Sequence, residues 1–166
     1  MADRTILERL QPSLLDRLTD DEPHRQSEGR EARVIDIRRL REIVRRDLAW
    51  LLNTTNLDSQ IDAELYPNVR RSVVNYGIDP VAGDSSTLRR ADAIRAAIRR
   101  SVEMFEPRIR TGSVDVTMRE DDSDRSVTSI FFDIRADMWA QPLPLELYLQ
   151  SEVDLTTGHV SLERRG

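Results

Sequence analysis

The sequence has 166 residues, 39% of them hydrophobic and 33% charged, with no cysteine and a net charge of −5. This length suits one domain with a real core, while the lack of cysteine excludes disulfide and thiolate chemistry. No apolar run approaches the roughly 18 residues needed to span a bilayer, and the first residues carry no signal-peptide pattern. We therefore expect a soluble cytosolic protein, and the acidic balance argues against non-specific binding of nucleic acid.

All 25 basic side chains are arginine. Genomic codon bias is one explanation, and the functional alternative is an interface protein, since arginine pairs bidentately with carboxylates and is enriched at contacts. The two histidines, His24 and His159, are isolated in the sequence. The sequence therefore gives little support for a histidine-based metal site or a Ser-His-Asp triad.

Residues 1–32 form the first predicted region, an amphipathic segment followed by a polar linker. Apolar side chains recur through residues 6–18, and residues 19–32 contain Pro and Gly without periodicity. A linker this polar favours a segment that orders on binding, so the leucines pack either on the body of the protein or on a neighbour. Residues 33–166 are the predicted folded domain.

A long amphipathic helix is predicted over about 36–52, with Asp36 as its N-cap. Its apolar face consists of Ile37, Leu40, Val44, Leu48 and Leu51. Irregular sequence follows, and a short helix is predicted over about 68–76. Gly77 is then the natural residue to end that short helix.

A second long helix is predicted over about 87–105, with Ser86 as its cap and an arginine-rich exposed face. It stops at Pro107, which lacks a backbone N–H and biases Glu106 away from helical geometry. The carboxylate of Glu106 needs a separate explanation, because the C-terminus of a helix carries partial negative charge.

The last third of the sequence changes to an alternating period, which predicts strands. They lie at about 114–118, 126–138 and 145–155 and in the C-terminal HVSLERR. The third strand, LELYLQSEVDL, alternates cleanly between apolar and polar side chains. The predicted fold class is α+β, with about three helices packed on one face of an antiparallel sheet of about four strands.

No constellation of residues predicts catalysis or a bound cofactor. Phosphate-binding glycine motifs are absent, and the acidic stretch EDDSD lacks the glycine and the distal glutamate of a calcium loop. Glu103, Glu106 and Asp133 can be nominated as glycosidase acids, but a chain with 30 acidic residues offers many such pairs. We therefore predict no catalytic residue, no metal ligand and no cofactor.

Five segments spread over residues 13–160 carry a family resemblance through their order and spacing. They are SLLDRLTDDEP (13–23), RDLAWLLNTTN (46–56), YPNVRRSVVNYGIDP (66–80), FEPRI (105–109) and LTTGHV (155–160). Together they resemble TssE, the baseplate subunit family of bacterial type VI secretion systems. That family is related to the small baseplate wedge protein of contractile-tailed phages, which is often labelled lysozyme-like.

The resemblance implies a non-enzymatic structural protein of the cytoplasmic baseplate, docked to the inner-membrane complex. The implied partners are subunits of the TssF, TssG and TssK type and the contractile sheath, with the spike and the start of the inner tube nearby. The implied role is to join the wedge complex to the sheath and to template sheath polymerisation, without nucleic acid and without membrane insertion.

Two alternative functions remain open. The old label suggests a peptidoglycan hydrolase, which a turbidity assay on purified cell wall would reveal. Nucleic-acid binding through the arginine-rich helices is the other, and a salt-dependent gel shift would test it.

The Glu-Pro-Arg motif of the family falls on Glu106, Pro107 and Arg108. We predict that Pro107 fixes the corner while Glu106 and Arg108 make charge-assisted hydrogen bonds to a partner subunit. The alternative is internal, with the same two side chains tying the helix end to the sheet. Both predict that Glu106→Ala impairs function, but only the internal alternative predicts a clear fall in melting temperature.

The outer strands of the sheet offer a second candidate contact. An open edge accepts a strand from another chain by main-chain pairing, and this would be the working surface of a sheath template. The candidate positions are Val114 and Val116 on one edge and Val160 and Leu162 on the other. The alternative is that charged residues at the C-terminus blunt the edges.

Overall fold

The structure is a computed structural model, and it describes residues 13–20, 23–24, 35–62, 64–80, 87–119, 128–139 and 144–164. The chain divides into two compact units, Met1–Val44 and Arg45–Gly166. The boundary predicted after residue 32 lies outside the described residues and stays a prediction. Among the described residues, no helix combines the length and apolar character needed to cross a membrane.

The first unit contains helix α1, Leu14–Leu18, and the start of helix α2, Ile37–Leu52. The carboxylate of Asp36 accepts the backbone N–H of Arg39 at 2.7 Å, which confirms the predicted N-cap of α2. Both Leu14 and Leu18 are exposed. The apolar residues predicted at positions 6–10 lie outside the described residues.

The second unit holds a four-stranded antiparallel sheet in the order β1-β2-β3-β4. The strands are β1, Asp115–Arg119; β2, Ser129–Met138; β3, Leu145–Asp154; and β4, Val160–Arg164. Alternate side chains of β2 and β3, including Phe132, Ile134 and Leu149, are buried on one face. The predicted α+β class and its four antiparallel strands are confirmed, while most of the predicted connections 119–124 and 139–145 lies outside the described residues.

Helix α3, Thr87–Phe105, contacts β1 and buries an apolar stripe that includes Ile94, Ile98 and Val102. The predicted cap residue Ser86 lies outside the described residues. On the opposite side of α3 four of the five arginines are exposed, as expected for a helix with one buried face, while Arg90 is half-buried and donates to the carbonyl of Leu155 at 2.7 Å.

The short helix predicted over 68–76 is wrong. Two 3₁₀ turns occupy this stretch, Val69–Arg71 and Val73–Asn75, separated by Ser72 in an extended conformation. The hydroxyl of Ser72 accepts the N–H of Val74, a local hydrogen bond that competes with helix formation. Val73 and Val74 are exposed, so no buried apolar face stabilises a longer helix here.

Gly77 serves a close backbone approach and does not end a helix. Its φ is +126°, and a Cβ at this position would lie 2.2 Å from the carbonyl oxygen of Thr54. Next to it, the N–H of Ile78 donates to that same oxygen at 2.9 Å. Ser101 of α3 donates its hydroxyl to the carbonyl of Gly77 at 2.6 Å, and this bond holds the segment that contains Gly77 against α3.

Candidate functional site

The Glu-Pro-Arg corner connects the end of α3 to the end of β2. The N–H of Glu106 still bonds to the carbonyl of Val102 at 3.0 Å, so the helical pattern runs up to the residue before Pro107. Two residues later, the carbonyl of Arg108 accepts the N–H of Trp139 at 2.7 Å. The chain therefore turns sharply at Pro107 and joins the last residues of β2.

Three charged side chains meet at this corner. Nε of Arg108 donates to Oε1 of Glu106 at 2.7 Å, and a terminal nitrogen of the same guanidinium lies 2.5 Å from Oε2. That terminal nitrogen also lies 2.7 Å from Oδ2 of Asp47, on the last turns of α2. We call these three residues the corner triad. It links α2 to the end of α3 through one guanidinium.

The electrostatics of the corner triad favour the ionised state of Arg108. Burial opposes the charged guanidinium, but hydrogen bonds to Glu106 and Asp47 and their negative charges outweigh it and raise the pKa of Arg108. Nearby, burial together with the carboxylates of Asp47 and Glu106 raises the pKa of the Tyr76 phenol. Arg108 is therefore charged at neutral pH and acts as a structural cation at this corner.

The geometry bears directly on the predicted partner contact. Glu106 is only 5% exposed, and Arg108 engages both of its carboxylate oxygens. Pro107 is exposed, and the side chain of Arg108 is 29% exposed. The Glu106 carboxylate is therefore bonded within the chain, and Arg108 joins it to α2 and not to the sheet as the internal alternative stated. Contact with a partner through the corner stays a prediction.

Asp47 is the member of the corner triad that the sequence did not single out. It lies 61 residues before Arg108, so no local spacing connects the two. The available signal was a carboxylate beside the buried Leu48. Arg46 also pairs with Asp47, at 2.7 Å, and its guanidinium stacks over the ring of Trp50 at 4.9 Å.

The β4 edge of the sheet is covered by side chains from α2 and the residue after it. Asn53 donates to the carbonyl of Val160 at 2.8 Å and accepts its N–H at 2.9 Å. Arg45 donates to the carbonyl of Leu162 at 3.2 Å. The two candidate positions on this edge therefore already bond within the chain.

The β1 edge differs from the β4 edge because its outward backbone groups have no partner among the described residues. The N–H of Arg110 donates to the carbonyl of Asp137 at 2.8 Å, on the same side of β2 as β1. The backbone groups of the odd-numbered residues of β2 therefore point towards β1. Since these residues lie opposite Asp115, Thr117 and Arg119, the backbone groups of Val116 and Met118 point outward. Within the described residues, no other segment bonds to these outward groups. The side chains of both candidate valines, Val114 and Val116, are buried in the core.

The carboxylates nominated as glycosidase acids are each paired with an arginine. Glu103 lies 3.4 Å from Arg99, and Asp133 lies 3.8 Å from Arg119 and accepts the Tyr148 hydroxyl at 2.9 Å. In the described part of the chain, no group of three potential ligands is placed to hold a metal ion.

Comparison with known families identifies the chain. The family described as "Baseplate wedge protein gp25" matches residues 38–143, which is 106 of the 166 residues and includes the corner triad and β1. This family is a structural one, which assigns the chain a structural role of the phage-baseplate type. The searches of curated proteins and of solved structures returned no match. The chain belongs to the gp25 family of baseplate wedge proteins, the family to which TssE also belongs.

Proposed function

We propose that this protein is a non-enzymatic structural subunit of a type VI secretion baseplate that joins the wedge complex to the contractile sheath and templates its polymerisation. Membership of the gp25 family and the five segments that resemble TssE support the secretion assignment. The observation that carries the templating role is the β1 edge, whose outward backbone groups at Val116 and Met118 have no partner among the described residues.

An edge with unpaired donors and acceptors binds a strand from another chain through main-chain hydrogen bonds. Because Asn53 and Arg45 occupy backbone groups of β4, strand addition takes place at β1. A sheet that grows on one side only gives the polymer a defined direction. The donated strand belongs to the first ring of sheath subunits.

The corner triad has a supporting role in this proposal. It fixes the end of α3 against α2, and α3 in turn contacts β1. Pro107 and the exposed part of Arg108 face wedge subunits of the TssF, TssG and TssK type. The protein then acts in the cytoplasm, at the baseplate docked to the inner-membrane complex.

A proline substitution in β1 tests the templating role. Met118 is 46% exposed and its N–H points outward, so Met118→Pro removes one donor from the edge without breaking a bond to β2. Met118→Ala keeps that N–H and is the matched control. Each variant replaces the wild-type gene in the host, where a fluorescent sheath subunit reports assembly.

We expect Met118→Pro to abolish sheath assembly and Met118→Ala to preserve it, with both purified proteins keeping the wild-type melting temperature. A second edge variant, Val116→Pro, should behave like Met118→Pro in the host. Normal sheath assembly with both proline variants would refute strand addition at β1.

A further inference from the structure

A cleft of 270 Å³ opens where residues 56–77 meet the C-terminal half of α3. Four charged side chains line it: Asp58, Arg70, Arg71 and Arg100. Two apolar side chains of α3, Met104 and Phe105, also contribute to the lining.

Buried amides hold the walls of the cleft in place. Asn75 is 5% exposed; its carbonyl oxygen accepts the N–H of Leu57 at 2.9 Å, and its amide donates to the carbonyl of Arg70 at 3.1 Å. Asn56, also buried, donates to Asp79 at 3.1 Å. Such walls lose little conformational freedom when something binds between them.

The cleft has an excess of positive charge in a chain whose net charge is −5. Arg70 makes a bidentate pair with Asp58, at 2.8 and 2.7 Å, and Arg100 pairs with Asp79. Within the part of the chain that the structure describes, no carboxylate lies within 4.0 Å of the Arg71 guanidinium. One cation of the cleft is therefore available to an outside carboxylate.

Exposed apolar side chains follow Arg71 closely in the sequence. Val73 and Val74 lie in the chain between two lining residues, Arg71 and Asn75, and they are 81% and 61% exposed. Met104 adds a further partly exposed apolar side chain. Exposed aliphatic groups next to an arginine are typical of a contact that combines a carboxylate with apolar neighbours.

We propose that this cleft docks a short segment of a partner protein in which a glutamate or aspartate is flanked by aliphatic side chains. The carboxylate pairs with Arg71, and the flanking side chains cover Val73 and Val74. A volume of 270 Å³ suits one or two side chains better than a drug-sized ligand. The inference goes beyond the proposed function, since it uses neither the β1 edge nor the corner triad.

A titration followed by NMR tests the proposal on the full chain. The probe is the peptide acetyl-Ser-Leu-Glu-Leu-Ser-amide, added to ¹⁵N-labelled protein, with the glutamine counterpart as the uncharged comparison. We expect saturable shifts of the amide signals of Arg71, Gly77 and Ser101, with binding of the glutamine peptide weaker by about tenfold.

Arg71→Gln should weaken binding of the glutamate peptide by about tenfold while leaving the spectrum well dispersed, because Arg71 is exposed and makes no ion pair among the described residues. Arg89→Gln, an exposed arginine of α3 outside the cleft lining, has the same change in charge and should leave binding unchanged.

Three outcomes would overturn the proposal. The first is equal binding of the two peptides, and the second is an equal loss with Arg89→Gln, which would indicate a general charge effect. The third is that glutarate or inorganic phosphate produces the same shifts at the same concentrations, which would indicate a small-anion site. Because the assay uses only the isolated protein, its failure leaves the baseplate proposal untouched.

Discussion

Glu106→Gln should destabilise the isolated protein markedly, because its carboxylate is the buried end of the corner triad. It accepts three hydrogen bonds from Arg108, at 2.7 and 2.5 Å from the guanidinium and at 3.0 Å from the backbone N–H. Glutamine keeps one oxygen acceptor but removes the charge that Arg108 faces. Among the described residues, the guanidinium then retains Asp47 alone as an ionic partner.

The expected loss of unfolding free energy follows from the burial of the Glu106–Arg108 ion pair. Breaking a buried ion pair costs about 3–5 kcal/mol, and losing a charge-assisted hydrogen bond costs about 1.5–3 kcal/mol. Arg108 is 29% exposed and keeps Asp47, so we expect the free energy of unfolding to fall by about 2–3 kcal/mol. In a domain of this size, that lowers the melting temperature by about 4–12 °C.

Thermal unfolding followed by circular dichroism, with urea unfolding at 25 °C, measures the change. Glu103→Gln is the matched control on α3: its pair with Arg99 spans one helical turn at 3.4 Å and contributes about 0.3–0.5 kcal/mol. If Glu106→Gln melted within about 1 °C of the control, the carboxylate would not hold the corner, and its role would have to be sought at a partner.

Three further predictions concern the rest of the second unit. Gly77→Ala should cost at least about 3 kcal/mol by urea unfolding, because the new Cβ meets backbone at 2.2 Å, whereas Gly112→Ala, also at positive φ but in open space, should cost about 1 kcal/mol; equal losses would refute the close-approach argument. Asn53→Ala should cost about 2 kcal/mol and speed hydrogen exchange at the first amide of β4, and unchanged exchange would show that the edge is not capped. A hydrogen bond from Arg70 lowers the pKa of Asp58 in the folded protein below its ordinary value of 3.8. The ionised carboxylate therefore adds stability that is fully present above pH 3.8 and is lost as the pH falls through the pKa of the folded state. In urea unfolding measured at several acid pH values, Asp58→Asn should therefore make the free energy of unfolding depend less on pH than in the wild type. An unchanged pH dependence would show that Asp58 is not the group responsible.

Local periodicity predicted those parts of the fold that burial alone determines. The 3.6-residue period located α2 and α3, and the alternation along β2 and β3 placed the correct side chains in the core, because one buried face decides both patterns. Asp36 was predictable as a cap because capping is a contact between neighbours in sequence.

The parts that were missed depend on non-local contacts or on competition between local bonds. Ser72 interrupts the predicted short helix because its hydroxyl accepts the backbone N–H of Val74. The pairing of Asp47 with Arg108 and of Asn53 with Val160 joins residues far apart in sequence, and no local pattern encodes such contacts. The sequence therefore pointed to the Glu-Pro-Arg corner through family resemblance, but not to the side chain that completes it.

Affinity purification from the native host tests the central claim most directly. Tagged wild-type protein and Met118→Pro are purified under mild conditions, and the associated proteins are identified by mass spectrometry. We predict that wild type recovers both wedge and sheath subunits, whereas Met118→Pro recovers the wedge subunits and loses the sheath. Recovery of no secretion-apparatus subunit by the wild-type protein would contradict the assignment to a type VI secretion baseplate.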